Sequence, residues 1–152
     1  MSTGSRPGGL TALAVFNLVG GVFDLIGVAS NTFILLVHRG TIEVPDEEAK
    51  KGILTTIDLM GEQAVATQIP WCAVCGLLLI LSGIGYLKCK RVLGRGFGNA
   101  YALVSMGFAG VFTWFLSQHT GLGFGFGVLI LVIYPVLTLI LVNTTFKEDF
   151  TR

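Results

Sequence analysis

Four segments of this chain hold no Lys, Arg, Glu or Asp apart from a single aspartate: Leu10–Val37, Ile69–Leu87, Gly96–Ser117 and Leu122–Thr145. Each reaches the ~17–25 residues that an α-helix needs to cross the hydrocarbon of a bilayer. No other feature limits the fold as strongly. Backbone polar groups in lipid must be satisfied within the segment, which selects helices for spans of this kind. Composition agrees, with 12% charged residues where soluble chains carry roughly 25%. The expected fold is an all-α membrane protein, a four-transmembrane-helix bundle forming one domain over residues 1–152. An outer loop (38–68) follows the first span and a cytoplasmic loop (88–95) separates the second from the third. Arg6 ahead of an apolar run that "GVAS" closes has the outline of a cleavable signal. The run resumes at once with "NTFILLV", longer than a signal core of ~7–15 residues.

The charges sort by loop. Seven basic residues, Arg6, Lys88, Lys90, Arg91, Arg95, Lys147 and Arg152, fall on the N-terminus, second loop and C-terminus. The first loop carries three, Arg39, Lys50 and Lys51, among six acids. The positive-inside bias places both termini in the cytoplasm, with Lys88, Lys90, Arg91 and Arg95 as the main anchor. That loop also has the composition to attract anionic lipid heads. The localisation expected is a bacterial cytoplasmic membrane. In the first loop, "DEEAKKGILTTIDLMGEQAVA" begins with acids and repeats Ala49, Ile53, Ile57, Met60 and Ala64 at helical spacing. It reads as a short amphipathic helix on the outer surface.

Water does not drive helices together in lipid, so small residues and interhelical hydrogen bonds must. Asn17, Gly20, Asp24, Gly27 and Asn31 share one face of span 1; Cys72, Gly76, Leu79, Gly83 and Tyr86 share one of span 2. Span 3 offers Asn99, Ala102, Ser105, Ala109 and Thr113, and span 4 offers Gly123, Gly127 and Tyr134. The alternating glycines of "GLGFGFG" fit close helix approach and no dinucleotide fingerprint. Pro135 removes one backbone hydrogen bond from span 4.

Asp24 sits at the middle of span 1. An ionised carboxylate there costs ~2.5–3.5 kcal/mol even on the milder insertion scale, so it is expected as a neutral acid donating to a neighbour. Counting along the spans puts Ser105 and Tyr134 at its level, with Ser82 and Thr138 about a turn nearer the cytoplasm. Asp24 is then a hydrogen-bond staple, a contact to another subunit, or a protonatable site in an ion path.

Cys72 and Cys75 in "PWCAVC" lie at the outer end of span 2, while Cys89 lies in the basic loop. The outer pair resembles membrane thiol-oxidising enzymes that pass electrons from disulfides to quinone, which are also four-helix bundles with a C-x-x-C near an outer span end. The resemblance implies Cys72 and Cys75 as a redox pair. This chain departs from it, because those enzymes relay through a second outer cysteine pair and hold quinone with an Arg that is absent after Cys75. His38 and His119 end spans 1 and 3, and with Cys72 and Cys75 they compose a ligand set suited to zinc or copper.

The stretches "GYLKCKRVLGRGFGNAYALVSMG" and "YPVLTLILVNTTFKEDF" resemble small bacterial four-helix integral membrane proteins of unassigned function. That resemblance covers spans 2 to 4 and implies topology without an activity. The expected function is a non-enzymatic accessory, assembly or interaction subunit of a membrane complex. No cofactor and no nucleic-acid partner are expected; the bilayer, other membrane subunits or a second copy of the chain are. The alternatives are a thiol–quinone oxidoreductase on Cys72 and Cys75, and a small proton or cation conductor on Asp24.

Overall fold

A computed structural model describes residues 8–120 and 126–150 of the chain. The described residues are almost entirely helical and contain no strand. The order is α1 (Gly8–His38), α2 (Glu47–Met60), α3 (Glu62–Leu87), a π-helical turn (Arg91–Gly96), α4 (Phe97–Thr120) and α5 (Phe126–Asn143). Three helices are long and apolar enough to cross a membrane: α1, α3, and α4 taken with its π-turn. The last helix, α5, is shorter at 18 residues.

α1 and α3 run antiparallel along almost their full lengths. Facing positions run Arg39–Glu62, Leu35–Val65, Asn31–Gln68, Gly27–Cys72, Asp24–Gly76, Gly20–Leu79 and Asn17–Ser82. Small residues allow this approach. A Cβ on Gly21 would stand 2.8 Å from the Gly76 carbonyl oxygen, and one on Gly83 would stand 3.0 Å from that of Ala14. The two backbones therefore touch where a larger side chain would hold them apart.

α3 begins at Glu62, seven residues before the apolar run it carries. Gly61 is the reason for the break from α2. At φ 84° it adopts a conformation that glycine tolerates and L-residues rarely do, so one helix ends and the next starts in a new direction. The loop helix is accordingly shorter than the sequence pattern implies, and Ala64 belongs to α3. Asp46 caps α2 by accepting from the Glu48 and Ala49 amides at 2.9 and 3.4 Å. Ile57 is buried against Leu35 and Val65, which fastens α2 over one end of the α1–α3 pair.

At the opposite end α3 turns sharply into α4. Cys89 takes a left-handed φ of 50°, and the Lys90 amide bonds back to the Gly85 carbonyl at 3.0 Å. Gly85 then lies directly on the Leu93–Gly94 backbone. The chain's final described residues close this end, with Phe146 and Phe150 joining Leu10, Leu13, Ala14, Tyr86 and Val142 in one apolar cluster. Trp71 stacks on Phe108 at 5.8 Å between α3 and α4, and Tyr101 meets Tyr134 edge-on at 6.1 Å between α4 and α5. Gly123, expected on a packing face, lies outside the described residues, as do the surroundings of Gly127.

Candidate functional site

The polar groups of the interior are organised along the α1–α3 seam. Asn17, Asp24 and Asn31 are seven residues apart, and so are Gln68, Cys75 and Ser82 on α3. A seven-residue repeat keeps one helix face on a partner that coils around it. Two of the three levels carry a cross-helix hydrogen bond. Asn17 Nδ2 donates to Ser82 Oγ at 2.7 Å, with both side chains 0% exposed. Asn31 Nδ2 donates to Gln68 Oε1 at 3.1 Å.

Asn17 does more than pair α1 with α3. Its Oδ1 accepts from the Tyr134 hydroxyl, so one amide joins α1, α3 and α5. Ser82 passes its own proton to the Leu79 carbonyl at 3.0 Å. The buried Tyr86 hydroxyl lies beside Asn17 and Ser82, and the buried Thr138 hydroxyl lies beside Tyr134; among the described residues neither completes a well-formed hydrogen bond.

Asp24 occupies the middle level. Its Cβ comes within 3.1 Å of where Gly76 would carry a Cβ, so the glycine makes the room for it. The side chain is half-buried, in electrostatic range of Cys72 and Cys75, and makes no hydrogen bond or ion pair among the described residues. The hydroxyls expected around it are distributed otherwise. Tyr134 and Ser82 converge on Asn17, Thr138 follows Tyr134, and Ser105 sits near the Cys75 thiol and the Tyr101 phenol. For α3 the early start contributes: a depth count from Ile69 sets Leu78 opposite Asp24, about half a turn from the Gly76 that faces it.

Cys72 and Cys75 are free thiols on consecutive turns of α3, ten or more residues from its start. Cys72 Sγ lies 3.3 Å from the position of a Cβ on Gly27, and Cys75 is buried beside Leu79 and Tyr101. His38 and His119 are elsewhere. His38 Nε2 is 3.8 Å from Glu62 Oε2, and His119 Nε2 is 2.9 Å from the Asp58 carbonyl oxygen. His38 is eleven positions along α1 from Gly27, about 16 Å of helix. Among the described residues no three His, Cys, Asp or Glu side chains are placed to hold a metal ion.

A second polar cluster joins α4 and α5 at the end carrying the basic loop. Asn143 Nδ2 donates to Asn99 Oδ1 at 2.7 Å and Asn99 Nδ2 returns a bond at 3.2 Å. Asn143 also donates to the Leu139 carbonyl at 2.7 Å and accepts from Arg95 Nε at 3.0 Å. Gln68, Asn143 and the central place of Asn17 are the residues a sequence reading centred on the carboxylate overlooks. The available signal was the matching seven-residue spacing on two helices and the rarity of amides in apolar runs. No protein-family model matches this sequence, and comparison with curated proteins and with solved structures gives no match either.

Proposed function

We propose that this chain is a non-enzymatic integral membrane subunit that docks other membrane helices, either a second copy or a different protein. In this reading α1, α3, α4 and α5 all cross a bacterial cytoplasmic membrane. Both termini and the basic loop are cytoplasmic, and α2 lies on the outer face as an amphipathic cap.

The observation that carries it is the contrast among the three levels of the seam. Asn17 and Asn31 are hydrogen-bonded across to α3, while Asp24 is half-exposed and has no partner among the described residues. Polar groups at membrane depth are costly and are retained where they meet something. Leu79 and Cys72 of α3 fill the space at Gly20 and Gly27, so a neighbouring helix with a donor or a cation would reach Asp24 from the open side of α1, where Val22, Phe23 and Ile26 are exposed. Asp24→Asn is expected to reduce co-purification of neighbours or oligomers in mild detergent, with the fold intact. Undiminished co-purification would remove the basis of this reading.

The topology has its own test. With α5 crossing, reporters fused to the two ends of the chain are expected in the same compartment. If only the three longer helices cross, the reporters separate.

A second reading, proton or cation conduction, is favoured by the alignment of Asn17, Asp24 and Asn31 on one seam. Flux through reconstituted liposomes that disappears in Asp24→Asn would put conduction first.

A further inference from the structure

We propose that Arg95, with Arg91 beside it, binds the phosphate group of an anionic phospholipid at the basic end of the bundle. The inference rests on the membrane reading above, and it assigns the basic loop a ligand in addition to its part in topology.

Arg95 is held in place. Its Nε donates to Asn143 Oδ1, whose second lone pair accepts from Asn99, and both Asn143 Nδ2 protons are used by Asn99 and the Leu139 carbonyl. Asn143 is therefore fully used and holds the guanidinium at its Nε. Among the described residues the two terminal nitrogens, with four N–H groups, have no partner. A planar fork of donors with one edge anchored is pre-organised for two oxygens of a phosphate.

Glu148 and Asp149 lie at the same end of the bundle beside Phe150, yet neither neutralises the basic loop through a direct ion pair. Among the described residues none of Lys88, Lys90, Arg91 and Arg95 forms an ion pair with a carboxylate. At the other end of the bundle, Arg39 has Glu62 at 2.8 Å. Arg91 and Arg95 stand four positions apart on a six-residue π-helical turn, which brings both cations to the rim where α4 starts. In the membrane reading that rim lies at headgroup level, where Lys and Arg are attracted to an anionic surface. The chemistry recognised is a phosphate with a net negative charge, whether on a lipid or free in solution.

The test uses the full-length chain in detergent micelles with added phosphatidylglycerol or phosphatidylcholine, and native mass spectrometry to count retained lipid. Wild type is expected to retain phosphatidylglycerol preferentially. Arg95→Gln should lower that retention about tenfold, the loss of one charge-assisted hydrogen-bonding group. Arg95→Lys should give an intermediate loss, since it keeps the charge and loses the fork. Lys147→Gln, exposed at the same end, should change little. Inorganic phosphate titrated without lipid separates the two sources: Arg95-dependent binding of it, with no preference between the lipids, assigns the site to the free ion. Equal retention by wild type and Arg95→Gln, with no Arg95-dependent phosphate binding, overturns the site. An alkaline carbonate wash of membranes tests the membrane reading separately. A chain released by that wash contradicts the reading, and the phosphate titration still decides the site.

Discussion

Gly85→Ala is expected to lower stability in detergent by about 3 kcal/mol, at the upper end of overpacking costs. The added methyl group would meet backbone atoms of Leu93 and Gly94, which have no rotamer to give way. Relief requires moving the whole π-turn away from α3, and with it Gly94, which packs on Tyr86 and Phe150. Denaturant titration followed by tryptophan fluorescence measures the loss. Gly107→Ala is the companion experiment. Nothing lies within 4 Å of that position, and α4 is helical there, so the expected change is neutral to stabilising by about 0.5–1 kcal/mol. Equal behaviour of the two variants would contradict the close contact between the end of α3 and the turn that follows it.

Asn17→Leu, which keeps the number and branching of side-chain heavy atoms, is expected to cost about 2 kcal/mol. The estimate comes from two interhelical bonds, each worth ~0.6 kcal/mol on average in membranes and up to ~1.7. The higher values apply because Asn17 and Ser82 are fully buried and the Tyr134 hydroxyl loses its acceptor. Tyr134→Phe should cost less, since it removes one of the two bonds. The double variant should fall short of the sum, because both single changes break the same Tyr134–Asn17 bond. Asp24→Asn, on the same face and one heptad away, is expected to alter monomer stability by less than about 0.5 kcal/mol. A large loss for Asp24→Asn with a small one for Asn17→Leu would reverse the assignment of the staple to Asn17.

That reversal of roles separates what sequence patterns convey from what they omit. The spacing of Asn17, Gly20, Asp24, Gly27 and Asn31 identifies the face of α1 that packs, and the structure puts all five along α3. The spacing does not say which residue of α3 meets which residue of α1, because that depends on where α3 begins. Gly61 decides the start through a backbone angle, and a glycine beside an acidic residue looks the same in sequence whether or not it breaks a helix. A count from the ends of the apolar run sets Leu78 opposite Asp24 and Ser82 one turn away; the structure sets Gly76 there and Ser82 two turns away, against Asn17. The basic loop shows a related gap. Its charge is plain in the residues, yet the anchoring of Arg95 by Asn143 and Asn99 joins positions more than forty residues apart and depends on how α5 lies against α4.

By itself the sequence determined the helical class, three apolar segments long enough for a bilayer and the face of α1 that lies along α3. These follow from local quantities: hydrophobic length, helical period and the scarcity of charge. Only the tertiary structure decided the register of α1 against α3, the choice of Asn17 as the amide that joins three helices, and the separation of His38 and His119 from the thiols. Register is a property of two surfaces in contact. It is fixed by where backbones can approach most closely, at Gly21 with Gly76 and Gly83 with Ala14, and no single helix carries that information.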